Sequence, residues 1–304
     1  MPLIFVKLQW KGKHPQPHIY YSELHKEEIM TKHLKIGEMI NIKFLGKSYC
    51  IGTEVDRGEW ISCVKNRNKT KTERTEKQYN QCFSCRRTDF FSCRATCAGD
   101  FCNPSSEKAL AMCTPANTSI YLTTASGVNK VGVSLNLPKR WIEQGSDKAI
   151  EIAKAPGLEA RKIEQLIAKK YDLKLQVRNS TKIKNLGSPF DEKHEHQLIE
   201  IVDTMKDEIK GIVAESGGEF IENPKMEGFE EFHGEIKQNV NYSEVTPKKG
   251  AEFGGIITAI KGSILIVDRE GYYFVLDLKK LVGTTFEFIE KSTMETQTAL
   301  DEWF

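Results

Sequence analysis

Eight cysteines fall between Cys50 and Cys113, and the chain of 304 residues has none elsewhere. They stand as Cys50, Cys63, Cys82-x2-Cys85, Cys93-x3-Cys97, Cys102 and Cys113. Short loops between paired thiolates let both sulfurs reach one tetrahedral Zn²⁺ at about 2.3 Å. The sequence linking them is poor in apolar residues, so ligation has to supply much of its folding energy. Eight thiolates would fill two four-sulfur sites, plausibly Cys50/Cys63/Cys82/Cys85 and Cys93/Cys97/Cys102/Cys113, giving one or two structural Zn²⁺. The competing readings are buried or free thiols and a redox Cys-x-x-Cys. The second is weak, because no thioredoxin-like βαβ pattern surrounds Cys82 and Cys85. The opening MPLIFVKLQWKGK is too short an apolar run for a signal peptide, and no stretch approaches the roughly 18 apolar residues of a membrane span. A cytoplasmic protein with no membrane partner is the expectation, and there disulfides are disfavoured.

Charge is segregated along the chain although its formal net value is only +2. Residues 61–87 carry eight Lys/Arg against two Glu, and residues 114–190 carry thirteen against six. Residues 191–235 reverse the balance, with four Lys against fourteen acids. A phosphate backbone is the partner a basic face of this kind fits, with structured RNA slightly favoured over DNA. Lys65, Arg67, Lys69, Arg86, Arg87 and Lys139 are the candidate nucleic-acid contacts. The plainer alternative is a set of solvated faces.

After the cysteines the chain reads clearly. "SIYLTTA" (119–125) and "NKVGVS" (129–134) are strands joined by a Ser-Gly turn at 126–127. "LPKRWIEQ" starts a helix with Asn136 as N-cap and Pro138 in the first turn, and Gly145 stops it. "KAIEIAKA" (148–155) alternates as a third strand, and residues 157–173 form an amphipathic helix. The order is β-β-α-β-α. Glu164 lies in line with Ala160, Ile167, Ala168 and Tyr171, on the border of the buried face, where a carboxylate can stay partly shielded and face a cleft. Residues 191–215 form an acidic amphipathic helix through Leu198, Ile201, Val202, Met205, Ile209 and Ile212. On this reading the fold class is α+β. Residues 1–60 form an N-terminal β segment, 61–113 a zinc module, 114–190 the core and 191–245 an acidic helical segment. Residues 246–304 form a small β unit that can pair with the first segment.

The core resembles the GIY-YIG endonuclease superfamily. Tyr121, in Ile-Tyr-Leu, stands where the first motif's tyrosine would be, and Lys130-Val131-Gly132 occupies the second motif. Arg140 follows that glycine at the distance of the superfamily's helix-borne arginine, and Glu164 matches its metal-binding glutamate. The resemblance implies a catalytic set of Tyr121, Lys130, Arg140 and Glu164. In it the tyrosine helps to activate water, Glu164 holds one Mg²⁺ or Mn²⁺, and Arg140 steadies a phosphate brought close over Gly132. Lys130 replaces the second motif's tyrosine, Ser119 the first motif's glycine, and Gln144 a frequent histidine. The alternative for Arg140 and Glu164 is an internal ion pair between two helices. Over nearly its whole length, through "IYLTTASGVNKVGVS…KRWIEQGSDKAI" and the late "GGIITAIKGSILIVD…LVG", the chain also resembles a cysteine-rich family, domain of unknown function 2797.

Three function classes follow. The first is a zinc-containing nucleic-acid-binding protein with a degenerate nuclease-like core. The second is an active divalent-metal-dependent endonuclease. The third is a protein-interaction module that uses the acidic 191–235 segment. The missing second-motif tyrosine favours binding.

Overall fold

The computed structural model of the chain describes residues 1–24, 26–63, 65, 79–95, 97, 101–188 and 192–293. It is an α+β protein that divides into two compact units, residues 1–89 with 234–304, and residues 90–233. The boundary falls inside the cysteine-rich segment, so four cysteines belong to each unit. Among the described residues no helix is long and apolar enough to cross a membrane.

Unit 1 begins with strands β1 (Leu3–Lys11), β2 (Gln16–Glu23), β3 (Ile29–His33) and β4 (Met39–Ser48). A small ribbon, β5 (Thr53–Asp56) with β6 (Glu59–Ile61), and the short helix α1 (Phe83–Thr88) follow. In β4, Ile40, Ile42 and Phe44 are buried at alternate positions, the period that places every second side chain on one face of a pleated strand.

Unit 2 contains α2 (Glu107–Cys113), β7 (Thr118–Ala125), β8 (Val128–Ser134), α3 (Lys139–Gln144), β9 (Lys148–Ala155) and α4 (Gly157–Lys170). It continues with α5 (Asn179–Lys184), α6 (Glu192–Glu215), β10 (Glu219–Phe220), β11 (Met226–Gly228) and α7 (Glu230–His233). Its sheet runs β10-β9-β7-β8, with β11 also on β9, and β7 pairs antiparallel with both β8 and β9. Ile120, Leu122, Val131 and Ile152 pack with Ile163 and Ile167 of α4 and with Leu198, Val202, Met205, Ile209 and Val213 of α6. The chain then returns to unit 1 with β12 (Tyr242–Glu244), β13 (Glu252–Lys261), β14 (Ile264–Arg269), β15 (Tyr272–Asp277) and β16 (Thr284–Phe288). These strands complete a nine-stranded sheet in the order β12-β15-β14-β13-β4-β16-β1-β2-β3, in which both ends of the chain take part.

Several local expectations change. Pro138, not Asn136, takes the N-cap of α3 without a side-chain cap, while the Asn136 carbonyl accepts from the Arg140 N–H at 3.0 Å. Helix α4 stops at Lys170, short of residue 173, because Asp172 turns left-handed at φ 48° and the Leu173 N–H bonds back to Ala168 O. The acidic stretch is not helical throughout. Only α6 carries the apolar stripe, and β10 and β11 then add to the sheet. Ile201 and Ile212 are half-buried at the edge of that stripe, with Val213 at its centre.

Candidate functional site

Two clusters of functional side chains stand out. In unit 1 the β5–β6 ribbon brings Cys50, on its entry, near Cys63, just past its exit. Cys82 is the N-cap of α1 and Cys85 lies in the helix's first turn, so the Cys-x-x-Cys spacing wraps around a helix start. The sulfurs of Cys50, Cys63, Cys82 and Cys85 all lie within 4.8 Å of one another, and the first three residues are buried. The Cys82 and Gly52 N–H groups donate to the Cys50 sulfur at 3.1 and 3.4 Å. The Cys85 thiol donates to Cys50 as well, and these donors outweigh burial to bring the Cys50 thiol down to about 5. Cys85 is correspondingly pushed up, as the group that keeps the proton. Asp89, also buried, accepts from Gln81 Nε2 at 2.7 Å and from the Glu54 N–H at 3.3 Å, tying α1 to the ribbon. Four converging sulfurs in a thiol-rich, donor-lined pocket can hold a metal ion such as Zn²⁺.

The second cluster surrounds Tyr121 on β7. Its side chain is fully buried, with its ring edge-on to Trp141 at 5.8 Å between centroids. A Cβ on Gly132, across the ladder, would lie 2.5 Å from the Tyr121 hydroxyl. Gly132 is therefore required by the phenol lying over β8, and the space above this glycine, expected to admit a phosphate, is filled by that ring. The hydroxyl donates to Gln144 Oε1 at 3.1 Å, and Lys130 Nζ donates to the same oxygen at 2.9 Å. Burial pushes the Tyr121 phenol up to about 12, against the pull of Arg140 and Gln144. Glu164 is half-buried. Desolvation raises its carboxyl above the usual carboxylate range, while Lys130, Arg161, the Val133 N–H and Arg140 pull it back.

Tyr121, Lys130, Arg140 and Glu164 thus share one electrostatic neighbourhood. Arg140 pairs with Glu143 at 3.9 Å with its side chain 48% exposed, and no ion pair joins it to Glu164 among the described residues. Sequence reasoning marked Gln144 only as standing in a histidine's place, and it missed Lys182. Gln144 is the shared acceptor, and the buried Lys182 donates its ammonium to the Gln144 main-chain carbonyl at the end of α3. A lysine on a short helix, far along the chain, carries no local signal of that partnership. Of the proposed phosphate contacts, Lys65 and Arg87 are exposed, and Arg86 lies 4.3 Å over the Tyr79 ring. Lys139 pairs with Glu143 at 3.8 Å, and Arg67 and Lys69 lie outside the described residues.

Neither the curated proteins nor the solved structures contain a match to this chain. Residues 37–286, which take in every cysteine and the whole Tyr121 cluster, match the family described as protein of unknown function (DUF2797), and the chain belongs to that family.

Proposed function

We propose that this is a zinc-containing nucleic-acid-binding protein whose β-β-α-β-α core is a degenerate GIY-YIG-type site that holds a phosphate rather than cleaving beside it. The observation that carries this reading is the Tyr121 phenol, buried and held up to about 12. At neutral pH such a phenol is a hydrogen-bond donor and a poor base. Around it stand Lys130 and the half-exposed Arg140 guanidinium, a fork suited to two phosphate oxygens. Lys65, Arg86, Arg87 and Lys139, with Arg67 and Lys69, supply further backbone contacts.

The test is titration of labelled tRNA, single-stranded RNA, single-stranded DNA and duplex DNA at several salt concentrations, with and without Mg²⁺. Binding should weaken with salt, and each lost contact should reduce the slope by about one unit. Arg140→Ala should weaken binding without unfolding the chain. Binding to none of these, or binding indifferent to salt, refutes the proposal. The phenol is checked separately by ultraviolet titration. Wild type should show two tyrosines ionising near pH 12, Tyr121 and Tyr242, and Tyr121→Phe should show one fewer. Because the folded state favours the protonated phenol, stability is intact below pH 10 and falls as pH rises toward 12.

A second reading, an active Mg²⁺- or Mn²⁺-dependent endonuclease, has one observation in its favour. Glu164 is a half-buried carboxylate with no ion-pair partner among the described residues. One carboxylate plus substrate phosphate is an ordinary Mg²⁺ ligand set. Metal-dependent cleavage that Glu164→Ala abolishes while binding persists would favour this reading over the first.

A further inference from the structure

Four cysteines remain outside the converged cluster, and all four line one cavity in unit 2. Cys93, Cys97, Cys102 and Cys113 surround a space of about 150 Å³ whose wall is completed by Phe91, Pro104 and Arg161. The loop that carries them is clamped independently of any ion. Ser105 and Ser106 donate to the Phe90 carbonyl at 2.7 and 3.1 Å, and Ser106 caps α2, the helix that ends on Cys113. The Cys97 N–H bonds to Cys93 O at 3.0 Å, closing a turn that carries two of the four cysteines. Arg161 Nη1, on α4, donates to Cys97 Sγ at 3.7 Å.

We propose that Cys93, Cys97, Cys102 and Cys113 form a second zinc site, with Arg161 as the hydrogen-bonding partner of the Cys97 thiolate. The chemistry is complete without further ligands. Four thiols lose their protons to solvent, four Zn–S bonds form, and the centre carries two net negative charges. A fixed guanidinium at the edge of the cavity offsets part of that charge, as outer partners of metal ligands do. Among the described residues only the first set brings its sulfurs within one ion's reach, so zinc has to draw the second set inward. Cys102 is the exposed member of the set. Gly157 starts α4 against the Cys113 carbonyl, where a Cβ would come within 2.2 Å, so the metal also anchors the helix that bears Arg161 and Glu164.

The test uses the full chain, with zinc per chain measured by elemental mass spectrometry after exhaustive dialysis. Wild type should hold two, and Cys93→Ser and Cys113→Ser one each. Cobalt-loaded Cys113→Ser should lose about half of the thiolate-to-cobalt absorbance. One zinc in wild type, or two in Cys113→Ser, overturns the proposal. Alkylation of wild type covers the case in which a serine variant fails to fold. Zinc-loaded protein should protect Cys93, Cys97, Cys102 and Cys113, and chelation should expose them. Rapid labelling of Cys102 in the loaded protein likewise overturns it.

Discussion

Each unit has a cysteine quartet of the same size, yet the two are built differently. In unit 1 the sulfurs are already drawn together, three of the four residues are buried, and main-chain N–H groups point at Cys50. In unit 2 the sulfurs ring a cavity, Cys102 is exposed, and the donor is a side chain, Arg161. What surrounds each quartet explains the contrast. The unit 1 quartet lies between a two-stranded ribbon and a six-residue helix that buries none of its own residues, and the apolar packing beside it is a small cluster of Ile51 and Trp60 with Val6 and Tyr20. The unit 2 quartet flanks a sheet whose core of isoleucine, leucine and valine needs no metal. An ion in the first quartet would complete a local fold; the one proposed for the second would fasten a loop to a fold that already exists.

The largest expected effect is metal removal from the unit 1 quartet. Structural zinc sites carry apparent binding energies on the order of 10 kcal/mol. Chelation or Cys82→Ser should therefore abolish hydrogen-exchange protection at Ile51 and across α1, while β7 and β9 keep theirs. Full protection of α1 in the metal-free chain would break the contrast. Cys113→Ser should have a smaller effect, loosening residues 90–113 and fraying the start of α4 by exchange, with a loss of about 1–3 kcal/mol in urea unfolding of unit 2. Loss of the whole β7–β9 sheet would instead show that this quartet too is a folding nucleus. Arg161→Ala should keep both ions but release the unit 2 zinc to a competing chelator about tenfold more readily, the effect of about 1.4 kcal/mol from a charge-assisted bond at a half-buried position. Equal release from both quartets would remove the role given to this arginine. The smallest effect is an order of labelling in metal-free protein. With the unit 1 quartet opened by chelation, Cys50 should react with iodoacetamide at least as fast as the exposed Cys102, because its burial is lost with the local fold.

Much of this was legible in the sequence wherever periodicity governs. Strand β9 occupies 148–155 as its alternation predicts, and Gly145 ends α3 in the left-handed conformation that favours glycine. The apolar stripe of α6 identified its buried face because helical spacing and sheet contact demand the same residues. Alternation showed which face Gly132 occupies, yet not what covers it, and Tyr121 supplies that cover through a cross-strand contact. The bond of Lys182 to Gln144 was illegible for a related reason, since it joins helices 38 positions apart in sequence. The division of the eight cysteines into two sets of four was legible in their order, and the boundary between the units falls between the sets. That a unit boundary lies there was not. "RRTDFFS" between Cys85 and Cys93 contains no Gly or Pro, and only the packing of each half against its own sheet marks the boundary.

The pairing of Leu3 with Phe286 has a consequence for synthesis. Unit 2 is continuous, so its residues have all been made while β13 to β16 are still to be added. Until then β1 lacks its partner β16 and β4 lacks both β13 and β16, leaving backbone edges open to pairing with other chains. Closing the large sheet requires contacts across almost the whole sequence, a slow step for any chain of this topology. The nascent protein therefore passes through an interval in which the inserted unit can be folded while the sheet that encloses it in sequence is only half built.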